Sequence, residues 1–282
     1  MANNYQTSNT LCFIDTALSD RHYTEKTANI DTIERPPKMQ IAKNLNQLGT
    51  ESAFEVLARA AELDTAGHDV INLGIGQPDF QTPNHIVEAG IKALRDGHHG
   101  YTPANGILPL REAVAADFQR RHGADVHPDC VVVQPGGKPT MFFCILMFGE
   151  PGAEILYPDP GFPIYKSMIE YSGATAIPIL LKEEHEFSFS ADEVLDQITP
   201  KTRLIILNSP ANPCGGAVPK SQFDKLIGGL EKWPEVAIFS DEIYSQMLYG
   251  EREHVTLLNY PEIRDRLIVL DGWSKTYAMT GW

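Results

Sequence analysis

The sequence predicts an α/β protein, a mostly parallel sheet with helices on both faces. Three observations carry that reading. Short apolar runs recur along the chain, at Val131–Val133, Ile155–Tyr157, Ala176–Leu181, Leu204–Leu207, Val236–Phe239 and Leu267–Leu270. These runs are unbroken rather than alternating, so each strand must be covered on both faces, as crossover helices cover a parallel sheet. Helical segments separate them, the clearest being Phe223, Leu226, Ile227 and Leu230 at i, i+3, i+4 and i+7.

Earlier in the chain the elements are sparser. Residues 1–38 are rich in Asn, Thr, Asp and Ser, show no sustained periodicity and end at Arg35-Pro36-Pro37-Lys38. They read as a mobile leader. Ala53–Ala66 reads as a helix with Ser52 as candidate cap, and Val70–Leu73 as a short strand. Thr82 is the expected cap of the next helix, with Pro83 at its first position. Val87, Ile91 and Leu94 then share a face. A third helix follows, with Ile107, Leu110, Val114 and Phe118 at similar spacing.

Composition bounds the function. The chain has 282 residues, 43% of them hydrophobic and 21% charged, the balance of a folded chain of one or two domains. Its formal net charge of −14 argues against a nucleic-acid or anionic-membrane surface, because phosphates are repelled. The longest pure apolar run, Met141–Phe148, is far short of the ~20 residues of a bilayer span. Asp15 cuts the run Leu11–Ile14 and no basic segment precedes it, so no secretory signal is expected. Cys12, Cys130, Cys144 and Cys214 show no C-x-x-C spacing, so no metal site is expected and a reducing cytoplasm is the simplest setting.

Ligands of parallel sheets sit beyond the carboxyl ends of the strands. The run 131–133 ends in Gln134-Pro135-Gly136-Gly137-Lys138 before a helix, which is either a plain turn or an anion cradle of free N–H groups. Run 204–207 leads into Asn208-Ser209-Pro210-Ala211-Asn212-Pro213, a turn that would also fix an Asn amide. Run 236–239 leads into Ser240-Asp241-Glu242-Ile243-Tyr244, which places Asp241 and Tyr244 on one helical turn unless Ser240 or Asp241 is simply a cap. Run 267–270 leads into Asp271-Gly272-Trp273-Ser274-Lys275, where a lone Lys is ordinarily solvated. Together the ends supply an anion cradle, an amide, a carboxylate with a phenol, and an amine. That set suits pyridoxal 5′-phosphate. Its phosphate needs N–H donors, its aldehyde an amine, its pyridine nitrogen a carboxylate and its phenolate oxygen hydrogen-bond donors.

The same residues resemble the class I/II aminotransferases, pyridoxal-phosphate enzymes of fold type I that include aspartate aminotransferase. The matching segments run in the family's order from Gly76-Gln77-Pro78-Asp79-Phe80 and Thr82-Pro83, through Tyr101-Thr102-Pro103, Gly106, Leu110–Ala113, Pro151-Gly152 and Pro158-Asp159-Pro160. They continue through the Asn208–Pro213 and Ser240–Tyr244 motifs to Ser274-Lys275, Ala278-Met279 and Gly281-Trp282. The resemblance implies that Lys275 is the catalytic lysine that attaches to the cofactor and later moves a proton, with Ser274 beside it a cofactor contact. It implies that Asp241 partners the pyridine nitrogen, and that Tyr244 and Asn212 bond the phenolate oxygen. Gly136, Gly137 and Lys138 correspond to the phosphate loop. Phe162 corresponds to the aromatic stacked on the cofactor ring, core packing being its alternative. Tyr101 corresponds to a tyrosine reaching the phosphate of the neighbouring subunit of a homodimer, and Gly76 and Asn212 to positions facing the substrate.

The implied activity is transfer of an amino group from an amino acid to a 2-oxo acid by a pyridoxal/pyridoxamine-phosphate ping-pong cycle. The alternatives are a β-lyase of the same fold and an inactive, truncated cofactor-binding protein. Residues 39–100 would contribute to a small domain and the substrate side, and 101–282 would form the large cofactor-binding domain. Cys214 and Gly272 depart from the pattern, at a usual Thr and at a Ser that binds phosphate in some members. An arginine directly after Gly281-Trp282 and a C-terminal small domain, both expected in the family, have no counterpart in these residues, so the chain is expected to be a C-terminally truncated member.

Overall fold

Five parallel strands form one sheet in the order β2-β1-β3-β4-β5, in a computed structural model that describes residues 40, 42–49 and 52–282. The strands are β1 (Glu154–Asp159), β2 (Thr175–Leu180), β3 (Thr202–Asn208), β4 (Ala237–Asp241) and β5 (Leu267–Leu270). The α-helices are α1 (Ser52–Thr65), α2 (Asn84–Arg95), α3 (Leu108–His122), α4 (Gly137–Phe148), α5 (Ile164–Ser172), α6 (Ala191–Asp196), α7 (Lys220–Gly229) and α8 (Trp273–Thr276). Residues Ala42–Trp282 form one compact unit, and the predicted leader 1–38 lies outside the described residues. No helix among the described residues is long and apolar enough to cross a membrane.

Burial on both sheet faces explains the unbroken apolar runs. Ile155 and Tyr157 of β1, Leu204 and Ile206 of β3, and Ala237 and Phe239 of β4 pack under α4 and α5, against Ile145, Tyr165 and Ile169. Their sequence neighbours Leu156, Ile205, Leu207 and Ile238 point the other way, onto Val194 of α6 and Phe223, Leu226 and Ile227 of α7. Successive side chains of a strand alternate in direction, so each central strand feeds both cores. β2 is an edge strand, where Pro178 is tolerated because no outer neighbour needs its missing N–H.

Four expectations are corrected. Residues 70–73 form no strand: Ile71 and Leu73 are 83% and 89% exposed. Residues 131–133 likewise form no strand; Val131 is extended, and Val133 N donates to Asn105 O at 3.2 Å. Both runs have β-forming composition, but a strand exists only where a neighbour takes its N–H and C=O groups. Thr82 does not cap α2. Pro83 occupies the N-cap without a side-chain bond, and the Thr82 hydroxyl donates instead to Ala278 O at 2.7 Å. Ser52 stands within α1 rather than ahead of it.

Candidate active site

The parallel registers bring the chemistry-bearing strand ends level with one another. Asn208 of β3 pairs with Asp241 of β4, and Asp241 with Leu270 of β5. The turn after β3 is tied to β4 at its first residue. Asn208 Nδ2 donates to Asp241 O at 3.0 Å, and Asn208 Oδ1 accepts from Asn212 N at 2.8 Å. That second bond sets Asn212, whose Nδ2 donates to the Tyr244 hydroxyl at 3.3 Å. The two residues expected to share one cofactor oxygen therefore meet. The expected helical turn after Asp241 is a hydrogen-bonded turn instead, with Ser245 N on Glu242 O and Met247 N on Tyr244 O. Tyr244 still emerges beside Asn212.

Asp241 is buried, 2% exposed. Its Oδ2 accepts from the Tyr165 hydroxyl at 2.5 Å and its Oδ1 from Ile243 N at 3.2 Å. Burial pushes its carboxyl up to about 6; the two hydrogen bonds work against that rise, and the charges of Glu242 and Asp271 add to it. Burial and the adjoining Asp241 charge hold the Tyr165 phenol well above its ordinary value, so it stays a donor. Glu242, directly after Asp241, is buried too and answers to other partners: His254 Nε2 at 2.9 Å, Ser240 Oγ at 2.9 Å and Leu257 N at 3.1 Å. Asp271 is bonded by Arg121 at 2.9 Å and by Gly272 N at 2.7 Å.

Lys275 lies on the four-residue helix α8, and its Nζ donates to Gly76 O at 2.9 Å. Two predicted site residues far apart in sequence are thus in contact. Partial burial lowers the Lys275 ammonium below the usual lysine value, which raises the share of free amine near neutrality. The Thr82–Ala278 bond ties the same two segments a second time.

The Gly136-Gly137 turn leads directly into α4. Gly136 adopts φ 85, a left-handed conformation that favours glycine, and α4 starts at Gly137 with no acidic residue in its first turn. Twelve residues of α4 aim their positive end and free N–H groups here. Lys138 Nζ stands 5.9 Å from the centre of the Phe162 ring, and Phe162 meets Tyr165 edge to face at 6.1 Å. Contacts therefore run without a gap from Lys138 through Phe162 and Tyr165 to Asp241. Tyr101 is fully exposed and touches none of them. A cavity of about 550 Å³ between α3, Val131–Gly137 and β5 meets the candidate set at Gly136, Gly137 and Ser274, and leaves Asp241, Asn212, Tyr244 and Lys275 outside its lining.

A family model described as "Aminotransferase class I and II" matches residues 68–282. The chain belongs to the class I and II aminotransferase family. Within that family it is 37% identical over 243 residues to a "Probable aspartate/prephenate aminotransferase" of Rhizobium leguminosarum bv. phaseoli, covering 86% of this chain and 61% of that one. It is 35% identical to an "Aspartate aminotransferase" of Geobacillus stearothermophilus, covering 86% of this chain and 62% of the relative. The solved aspartate aminotransferase of Rhizobium meliloti superposes with a TM-score of 0.81 at 32% identity, covering 86% of this chain and 61% of that structure. That of Thermus thermophilus with maleate also gives 0.81 at 32% identity, covering 86% and 63%. This chain thus spans about three fifths of the length of these family members. Its aminotransferase fold confirms the mostly parallel sheet of fold type I.

Three parts of this candidate site carry no local sequence signal. Asn208 opens a motif that was recognised, yet its bonding role is visible only across two strands. Tyr165 carries no sequence signal, since a tyrosine in an amphipathic helix reads as core. The buried Glu242–His254 pair spans a loop of no fixed spacing.

Proposed function

We propose that these residues form the cofactor half of an aminotransferase site, in which an amino acid gives up its amino group and a 2-oxo acid receives it. The observation that carries the reading is the level set of strand ends: a buried carboxylate on β4, an amide–phenol pair beside it, and an amine of lowered basicity after β5. The donor set fits pyridoxal 5′-phosphate: anion, aldehyde, ring nitrogen and phenolate oxygen each have a complementary group. When bound, that cofactor supplies an electron sink for the amino acid's α-carbon.

The chain's own residues divide the work. N–H groups of Gly136, Gly137 and Lys138 hold the phosphate. Phe162 lies against the ring, and Ser274 adds a contact beside Lys275. Asp241 holds a proton at the ring nitrogen. Asn212 and Tyr244 donate to the phenolate oxygen. Lys275 Nζ is the amine that would hold the cofactor's aldehyde carbon, and as a free amine it would move a proton at the substrate α-carbon. Gly76 and Asn212 face the substrate, on the side contributed by residues 39–100, with 101–282 as the large domain. Tyr101, exposed in the single chain, reaches the phosphate of a second copy in a homodimer. The relatives' names support aspartate as amino donor. Among the described residues Cys130, Cys144 and Cys214 are unpaired; the setting we propose is a reducing cytoplasm, on the spacing of the cysteines in the sequence.

Borohydride reduction of the chain with bound pyridoxal phosphate, followed by peptide mass mapping, tests the reading. The expected result is the cofactor's mass on Lys275. A label on Lys138 overturns it. Conversion of the cofactor to its amine form by aspartate in a single turnover distinguishes transfer from β-elimination.

A further inference from the structure

Tyr165 is placed by a turn that only glycine allows. A Cβ on Gly161 would sit 2.1 Å from Pro158 O. Phe162 follows that close turn directly and meets Tyr165, in the first turn of α5, edge to face. The Tyr165 side chain is wholly buried among apolar groups, including Ile155, Ile169 and Phe239. A phenylalanine would fill the same space there; the hydroxyl alone has a partner, Asp241 Oδ2 at 2.5 Å.

The carboxylate it meets is held on every side. Asp241 O accepts from Asn208 Nδ2 and Ser209 N, Oδ1 from Ile243 N, and Oδ2 from Tyr165. The other charged and titratable groups facing Asp241 are Glu242 and Tyr244 on the turn after β4 and Asp271 on the turn after β5. Glu242 is committed to His254 and Asp271 to Arg121, so neither supplies a proton or a positive charge to Asp241. Within the described residues the side-chain donor to this carboxylate is Tyr165.

We propose that Tyr165 is the positioning residue of the site: its hydroxyl fixes the rotation of the Asp241 carboxylate and holds it ionised, so that the carboxylate can keep a proton on the ring nitrogen of the cofactor. This rests on the cofactor reading above, while the Tyr165–Asp241 coupling is measurable without the cofactor. A buried carboxylate with no such donor takes up a proton itself and becomes a poor partner for a pyridinium. Tyr165 also carries Phe162 on its edge, so one short segment sets both the ring-stacking aromatic and the ring-nitrogen partner.

The test is Tyr165→Phe in the full chain. Carbon-13 labelled aspartate, with Asp241→Asn to assign the signal, reads the carboxyl titration in the cofactor-free protein. The parent Asp241 titrates at about 6. Loss of the hydroxyl is expected to move that midpoint upward by about one to two pH units. With cofactor bound, nitrogen-15 shifts of the ring are expected to show the ring proton lost at lower pH in the variant. Should Tyr165→Phe not fold, fluorinated tyrosines at position 165 keep the shape and strengthen the donor, and the Asp241 midpoint should fall with each added fluorine. An unchanged Asp241 midpoint in these variants overturns the proposal. A shifted midpoint in a chain whose parent does not bind pyridoxal phosphate supports the coupling and overturns the cofactor reading instead.

Discussion

Asp241 and Lys275 are expected to serve the same ligand, yet the chain secures them in opposite ways. Asp241 ends a central strand, is 2% exposed and receives hydrogen bonds from four residues. Lys275 sits on a four-residue helix after the edge strand β5 and is held by a single side-chain bond to Gly76 O. The carboxylate half is thus built into the sheet. The amine half depends on residues 74–82, an irregular segment tied down at Gly76 and Thr82. A carboxylate that holds a proton in place benefits from rigidity, whereas a lysine that must exchange partners needs a tether that releases.

The largest expected effect is at the loose half. Lys275→Ala should abolish cofactor fixed to the chain by borohydride, read by intact mass, while leaving the unfolding midpoint of the sheet nearly unchanged. A retained adduct breaks the assignment. At the rigid half, Asp241→Asn should keep the cofactor bound but, on the proposed function, slow amino-group transfer about 10²–10³-fold, the usual cost of one lost electrostatic partner in a transition state. A rate within a few-fold of the parent would remove Asp241 from the mechanism.

The rigidity of Asp241 should be visible as a stability cost. Its folded carboxyl titrates at about 6, above the ordinary 3.8, so the folded state binds a proton more tightly than the unfolded one. The stabilisation this gives is complete below pH 3.8 and is lost as pH rises through about 6. Asp241→Asn should therefore gain on the parent by about 3 kcal/mol between pH 4 and pH 7, measured by urea unfolding at a series of pH values. A flat difference would place Asp241 in a better-solvated site than the buried one seen here.

Behind Asp241, removing one partner of the buried Glu242–His254 pair tests how far the rigid half extends. His254→Ala should destabilise by about 1–3 kcal/mol, because Glu242 Oε2 loses its hydrogen-bond partner in a buried site. The smallest effect falls again on the loose half. Thr82→Ala removes the bond to Ala278 O and should cost about 0.5–1.5 kcal/mol, with hydrogen exchange quickening in residues 275–280 rather than across the sheet.

Much of this contrast was legible in the sequence, though unevenly. The runs at 155–157, 176–181, 204–207, 236–239 and 267–270 became strands because each has a neighbour on at least one side. The runs at 70–73 and 131–133 did not, although Val131–Val133 is as β-prone as any of them. The site residues at strand ends were legible for the same reason, since a motif placed directly after a strand inherits the strand's position. Asn208, Tyr165 and His254 act across elements, and nothing in their local spacing announces it.

By itself, the sequence determined the longer helices and the five strands, that the sheet is buried on both faces, and which chemical groups lie at its carboxyl edge. Those properties depend on periodicity and on residue type, both local. Tertiary structure alone decided the register that levels Asn208 with Asp241, the choice of Tyr165 as donor to that carboxylate, and the capture of Lys275 by Gly76. Each of these needs a donor and an acceptor from distant parts of the chain to arrive at hydrogen-bond distance in a dry interior. Only packing sets that meeting, because unsatisfied polar groups there cost more than most single contacts return.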